Sequence, residues 1–368
     1  MRILYWTQLF RPYIGGVEVH TSRFLPAMKK FGYEFSVVTS HGNLDLPDID
    51  EYDSIPVHRF RFQSSLENKD VEGIFSSIKR LKEVKEKFKP DIVHINFTDP
   101  SIFFHFKTNN SSQVKTVVSF RLSVENNATK TNSLLLRTLE NADWITASSK
   151  AIMDEVIRLN PEVEQYSSVI YPSLEKPVIE PSQVSFSPPV LLCFGRIVNE
   201  KGFDLAIDAV SIVSQKYPEI KLMIAGDGPA KDELINKTKE SGIENMVDFL
   251  GWINPDEIPE VINKSSIVIV PSRWKEAFGQ VALQAMHMGR PVIAADTGGL
   301  KEIIDNKING ILVGKENPSA IAEAVTFLIE NKEYTLNLGL NGKKTAQEKF
   351  SWDNNINSFN RLYKYLGG

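Results

Sequence analysis

The sequence is poor in cysteine: among 368 residues there is one, Cys193, set in the apolar run Val190 to Phe194. An intrachain disulfide and a cysteine-built zinc cluster are thereby excluded, and a reducing compartment is the expectation. Positive charge is not in surplus either, since 42 Lys and Arg stand against 46 Asp and Glu for a formal charge of −4. Nucleic-acid affinity rests on clustered cations, so no nucleic-acid partner is expected. No segment approaches the ~18 apolar residues that span a bilayer, and the opening Met1-Arg2-Ile3-Leu4-Tyr5-Trp6 is too short for the core of a secretory leader. A cytoplasmic protein follows as the expectation, with peripheral membrane contact as the most a bilayer would see of it. His20, His41, His58, His105 and His287 form no metal-ligand spacing, and no metal site is expected.

What the chain does have is alternation. Apolar β-rich runs at Ile3–Trp6, Phe35–Thr39, Val57–Phe60, Asp91–Ile95, Lys115–Ser119, Trp144–Ala147 and Ser168–Tyr171 are separated in several places by helical patterns, the first over Val17–Phe31. Prolines at 172, 177, 181, 188 and 189 then interrupt all periodicity. The alternation restarts with strands at Leu191–Phe194, Lys221–Ala225, Val247–Leu250, Ile267–Val270 and Pro291–Ala294, and helices at Asp204–Lys216, Lys231–Ser241 and Gly279–Met288. The reading is an α/β chain of two doubly wound domains, residues 1–178 and 190–351, joined by a linker over 179–189. Ligands of such domains sit beyond the carboxyl ends of the strands, which puts the expected cleft between the two. The helix Ile74–Phe88 carries Lys79, Arg80, Lys82, Lys85 and Lys87 opposite an apolar stripe that includes Phe75. It reads first as a solvated crossover helix, and secondarily as a surface for anionic lipid.

Chemistry concentrates in the second half. The run Pro271-Ser272-Arg273-Trp274-Lys275-Glu276-Ala277-Phe278-Gly279 passes from a strand into a helix whose opening N–H groups suit a phosphate. Glu276 and Gln284 lie eight residues apart, at most about 12 Å of helix rise, roughly the span from a sugar ring to a ribose across a diphosphate. Gly195-Arg196 and Glu200-Lys201-Gly202 place two cations at another strand end, where a buried diphosphate needs partners. Gly226-Asp227-Gly228-Pro229 is two thirds of a dinucleotide fingerprint, and Pro229 with the missing third glycine makes an NAD site a weak reading. Gly15-Gly16-Val17-Glu18 opens the first helix in the same manner. Asp48-Ile49-Asp50 imitates an acidic metal motif and reads as a solvated turn.

Taken together, Gly15-Gly16-Val17-Glu18, Gly195-Arg196, Glu200-Lys201-Gly202, Gly226-Asp227-Gly228-Pro229, Gly251, Glu276-Ala277-Phe278-Gly279 and Gly289-Arg290-Pro291-Val292-Ile293 resemble the retaining glycosyltransferases of family 4 over nearly the whole chain. The resemblance implies the GT-B fold, two Rossmann-like domains facing an interdomain cleft, with Phe350-Ser351-Trp352 and a helix over about 352–368 returning to the first domain. It implies a UDP- or GDP-sugar as a substrate rather than a cofactor, and a glycan or lipid-linked acceptor. Arg196 and Lys201 would hold the diphosphate, Glu276 the sugar, the backbone around Trp252-Ile253 the base, and the loops at Gly15, Gly16, Gly195, Gly226, Gly228 and Ala277 to Gly279 the close approaches. Two positions depart from the family: Gln284 stands where a ribose-binding Glu is usual, and Arg121 stands where relatives commonly carry a His near the reacting sugar. His94 is the nearest alternative cleft histidine, and it reads at least as well as a satisfied histidine within its strand. Arg121 is expected to face the cleft and meet an anionic group, against a surface ion pair with Glu125. The expected activity is hexosyl transfer with retention, without a metal, in polysaccharide or glycolipid assembly. The alternative is a non-catalytic nucleotide-sugar-binding protein of the same fold.

Overall fold

Strands that are buried on both faces read as unbroken apolar runs, and Ile267–Val270, with all four residues buried, is the plainest case. The computed structural model describes residues 1–96, 99–109, 113–124 and 133–368. They divide into two units, Met1–Tyr171 with Asp353–Gly368, and Pro172–Trp352.

The first unit runs β1 (Arg2–Trp6), α1 (Gly16–Lys29), β2 (Glu34–Ser40), β3 (Ile49–Tyr52), β4 (Ile55–Phe60), α2 (Phe62–Glu67), α3 (Val71–Phe88), β5 (Ile92–Ile95), α4 (Ile102–Thr108), β6 (Lys115–Phe120), α5 (Ser133–Asn141), β7 (Trp144–Ala147), α6 (Lys150–Leu159) and β8 (Ser167–Val169). Its sheet has the order β3-β4-β2-β1-β5-β6-β7-β8, parallel except for β3 against β4. The stretch read as a solvated turn is thus an edge strand. Asp50 pairs with the buried Arg59 at 3.0 Å, and Asp48 accepts from Arg80 at 2.5 Å and lies 2.8 Å from His41 Nε2. The strand escapes notice because its side chains are mostly exposed and no buried alternation marks it. Phe75 likewise leaves the expected stripe of α3: it is exposed, while Ser77, Leu81 and Val84 are buried. Asp70 caps α3, accepting from Gly73 N at 3.0 Å, and Ser149 caps α6 in the same way.

The second unit runs β9 (Val190–Phe194), α7 (Phe203–Ser214), β10 (Lys221–Ala225), α8 (Lys231–Glu240), β11 (Val247–Gly251), α9 (Ile258–Asn263), β12 (Ile267–Val270), α10 (Gln280–His287), β13 (Val292–Ala295), α11 (Leu300–Ile303), β14 (Ile311–Val313), α12 (Pro318–Glu330) and α13 (Lys332–Glu348). Its six strands are parallel in the order β11-β10-β9-β12-β13-β14, so the winding reverses between β9 and β12. Cys193 is a core residue here, fully enclosed beside Leu191 and Ile224, and burial pushes its thiol pKa up.

Residues 179–189 do not hang free as a linker; they belong to the second unit, and the boundary falls at 171/172. The reason is Arg290, which is 1% exposed and needs acceptors: it donates to Ser182 O at 2.9 Å and to Ser182 Oγ at 2.8 Å. Ser182 N in turn donates to Asn263 Oδ1 at 3.0 Å. After the second unit, α14 (Trp352–Gly367) returns to the first. There Phe359 meets Phe24 edge-on at 5.1 Å, Asn355 donates to Tyr171 O at 2.7 Å, and Tyr33 donates to Asn360 Oδ1 at 2.8 Å.

Candidate functional site

In the second unit the reversal between β9 and β12 leaves a crevice at the carboxyl ends of the strands, where loops from neighbouring strands diverge. Those loops pack backbone on backbone. A Cβ on Gly226 would lie 1.9 Å from Gly195 O, and one on Gly298 would lie 2.2 Å from Glu276 O, so only glycine admits the approach. Gly195, Gly226 and Gly228 therefore shape the rim through their backbones.

Two strands supply a charged pair. Lys201 follows β9 and Glu276 follows β12, and Lys201 Nζ donates to Glu276 Oε1 at 2.6 Å. Ser272 Oγ donates to the same oxygen at 2.6 Å. Burial alone would raise the Glu276 carboxyl, but the Lys201 ammonium and the hydrogen bonds from Lys201 and Ser272 outweigh it and hold the group below the usual glutamate value. Lys201 Nζ also lies 5.1 Å from the Trp274 ring centre. Arg273 sews the two loops together, donating to both carboxylate oxygens of Asp204 at 2.6 Å and to Asn199 O at 2.9 Å. Nothing in the sequence alone assigns a task to Ser272, Arg273 or Asp204. The available signal is an acid in the first turn of the helix after Lys201 and an arginine at the next strand's end.

The other expected residues line up around this pair. Arg196 is exposed at the end of β9, and its guanidinium has no hydrogen bond or ion pair among the described residues. Gly279 caps α10 at φ +113 without a side-chain cap, which leaves the first-turn N–H groups available. Ala277 is partly buried, and the Phe278 ring is enclosed against Phe350, centroids 5.5 Å apart, so Phe278 offers a ligand only its backbone. Gln284 stands in the second turn of α10, partly buried. Trp252, 57% exposed, and Ile253 follow β11 at the same end of the sheet. Among the described residues no group of three or more His, Cys, Asp or Glu is placed to hold a metal ion.

In the first unit the reversal lies between β1 and β5. Gly15 caps α1 with no side-chain bond, and Gly16 is its first helical residue. His94 takes the second of its two readings, a satisfied histidine within its strand: it is 0% exposed, with Nδ1 2.5 Å from Tyr363 Oη and Nε2 2.7 Å from Ser119 Oγ. Burial, and then the Arg121 cation, keep its pKa well below the usual imidazole value. An enclosed neutral histidine with both nitrogens engaged cannot reach a substrate. Arg121 follows β6 and turns inward: Nε donates to Asn96 Oδ1 at 2.9 Å, the guanidinium carbon lies 5.9 Å from the Phe359 ring centre, and Nη2 is buried without a partner. Burial lowers its pKa, which the neighbouring phenols of Tyr5 and Tyr363 oppose. Glu125, its expected alternative partner, lies outside the described residues.

Paired Rossmann-type sheets of this order occur in glycosyltransferases of the GT-B fold. The sucrose-phosphate synthase of Thermosynechococcus elongatus matches with a TM-score of 0.82 at 20% identity, covering 100% of this chain and 99% of that one. HepE of Anabaena, solved in complex with UDP, matches with a TM-score of 0.79 at 22% identity, covering 99% and 100%. The chain has the GT-B fold. The family description "Glycosyltransferase Family 4" matches residues 14–174 and "Glycosyl transferases group 1" matches residues 178–345. A glycosyltransferase of Methanocaldococcus jannaschii is 26% identical over 362 residues, 97% of each chain. This chain belongs to glycosyltransferase family 4. No helix among the described residues is long and apolar enough to cross a membrane.

Proposed function

We propose that the chain moves a hexosyl unit from a nucleotide-diphosphate sugar, UDP- or GDP-linked, to a hydroxyl acceptor with retention, in polysaccharide or glycolipid assembly. The observation that carries this reading is the Lys201–Glu276 pair at the crevice between β9 and β12, beside the uncapped opening of α10. A diphosphate-linked sugar presents an anion next to hydroxyl groups, and a cation bound to a carboxylate is complementary to that juncture. Arg196 and Lys201 meet the diphosphate, the α10 N–H groups share its charge, Glu276 accepts from sugar hydroxyls, and Gln284 accepts from the ribose. The base stacks or bonds near Trp252-Ile253. The crystal structures of HepE with UDP and with UDP-glucose support a uridine nucleotide as the first donor to try.

Chemically, the acceptor hydroxyl attacks the anomeric carbon on the face from which the diphosphate leaves. The bond to the phosphate oxygen breaks, the bond to the acceptor oxygen forms, and the departing phosphate oxygen takes the acceptor proton. No protein base is needed, which agrees with a His94 that is sealed away and an Arg121 that stays charged at working pH. Arg196, Lys201 and the α10 opening stabilise the leaving charge without a divalent ion. A cytoplasmic location, in contact with a membrane when the acceptor is lipid-linked, fits such a donor.

Calorimetry with free UDP and GDP, paired with turnover of UDP- and GDP-hexoses, tests the assignment. Glu276→Ala is expected to bind the free diphosphate as the wild type does while losing about 10²- to 10³-fold in turnover. A wild type that binds neither nucleotide, or a Glu276→Ala variant with full turnover, overturns it; binding without any turnover favours the non-catalytic alternative.

A further inference from the structure

At the opposite rim of the first unit's sheet, the amino ends of β1, β5 and β6 border a pocket of about 680 Å³, closed on its sides by α3, the end of α4 and the end of α14. Five cations line it, Arg2, Lys82, Lys85, Lys89 and Lys115, against two carboxylates, Glu86 and Asp91. Two of the cations are already engaged: Arg2 with Asp91 at 4.0 Å and Lys115 with Asp143 at 2.9 Å. Lys82, Lys85 and Lys89 have no carboxylate within ion-pair distance among the described residues. Their spacing of three and then four residues sets them on one face of α3 and its end.

Lys85 is the unusual member. It is partly buried, and its ammonium is held only by neutral groups: it donates to Thr108 Oγ1 at 2.9 Å and lies 3.3 Å from His105 Nδ1. The Thr108 hydroxyl is turned to accept, because it donates its own proton to Phe104 O at 2.8 Å. His105 is fully enclosed, and burial together with the Lys85 charge keeps it neutral, with Nε2 3.3 Å from Thr116 Oγ1. Nδ1 is therefore free to accept from Lys85. An ammonium has three donors, and two are satisfied here by uncharged acceptors. The charge itself is uncompensated, and burial pushes the Lys85 pKa down to about 7.

We propose that this pocket is a second ligand site, for a phosphate-bearing anion, with Lys85 as its central contact and Lys82 and Lys89 flanking. The anion supplies the countercharge that the fold withholds from Lys85. The site lies at the other end of the strands from the Gly15-Gly16 loop and uses no residue of the proposed donor site. The phosphate is carried either by a small soluble compound or by a lipid headgroup, since both present the same group to three lysines.

The test is calorimetry with inorganic phosphate and pyrophosphate on the full chain in a Lys201→Ala background, which weakens the proposed donor site and keeps the failure of the two readings separable. Saturable binding is expected there, weakened about tenfold or more by Lys85→Gln and by the double variant Lys82→Gln/Lys89→Gln, the effect of losing a charge-assisted hydrogen bond. The double variant alters positions whose side chains are not in the core, so it keeps the test sharp if Lys85→Gln does not fold. Co-sedimentation with phosphatidylglycerol vesicles, set against phosphatidylcholine vesicles, separates the sources. Binding to the anionic vesicles that phosphate competes away identifies a headgroup, and phosphate binding without vesicle binding identifies a soluble compound. No saturable phosphate binding in the Lys201→Ala chain, or binding indifferent to both sets of lysine substitutions, overturns the proposal.

Discussion

Replacing Lys201 by Met removes one half of an ion pair whose side chains are 16% and 10% exposed, with Glu276 the more enclosed partner. Leaving a buried charge without its partner costs about 3–5 kcal/mol. Glu276 keeps the Ser272 hydroxyl at 2.6 Å and some access to water, which brings the expected loss to about 2–3 kcal/mol. For a unit of this size that is a fall of roughly 4–12 °C in Tm. The loss must depend on pH. In the wild type the folded pKa of Glu276 lies below its unfolded value, so the pair's stabilisation is present above the unfolded glutamate pKa and is lost as pH falls through the folded one. In Lys201→Met burial is opposed only by the neutral donors Ser272 and Trp274, the folded pKa rises above the unfolded one, and the variant gains stability as pH falls. The gap between the two proteins is widest near neutrality and closes toward acid, by about 1.4 kcal/mol for each pKa unit separating them. Urea unfolding followed by tryptophan fluorescence, at a pH of about 7 and again near 4.5, reads this directly. The double variant Lys201→Met/Glu276→Gln should recover part of the loss. A gap of equal size at both pH values, or no gap at neutrality, refutes the argument that Lys201 neutralises a buried carboxylate.

Gly226→Ala pushes a methyl to 1.9 Å from Gly195 O at a φ of +145, and should cost about 3 kcal/mol or more in thermal unfolding; a near-neutral variant would mean that the β9 and β10 loops can separate. His94→Phe strands the Tyr363 hydroxyl and should cost about 1–3 kcal/mol at neutral pH. Because His94 is held neutral in the fold, its contribution is present above the unfolded imidazole pKa and fades as pH drops, so this deficit narrows in acid. Turnover of the folded variant should keep the wild-type pH profile, and a profile that loses a limb would restore His94 to the chemistry.

Most strands of both sheets are legible because both faces of each are buried, and a run such as Ile267–Val270 announces itself without any alternation. β3 and β14 carry little of that signal, β3 because its four residues are mostly exposed and β14 because it is only three residues long. Proline stops periodicity, so 179–189 reads as a linker; nothing in the local pattern shows that an arginine a hundred residues on will draw Ser182 into its shell. In the candidate site, Lys201 and Glu276 were each visible as polar residues at strand ends, yet their 2.6 Å contact depends on β9 and β12 being neighbours, a fact of topology. His94 shows the same limit from the other side. A histidine in the sequence Ile92-Val93-His94-Ile95 can line a crevice or complete a core, and its enclosure is decided by Phe359 and Tyr363, more than 260 residues away.

The return of α14 to the first unit has a consequence for biosynthesis. Residues 172–352 are one uninterrupted stretch, so the second unit can fold as soon as it has left the ribosome, while the first, although made earlier, must wait for the helix that follows it. Until then Phe24, Tyr33 and the His94 ring lack the side chains that cover them, Phe359, Asn360 and Tyr363. The nascent chain thus carries an open apolar face on its older half throughout synthesis of the younger. This is the interval in which a chaperone would be expected to engage it.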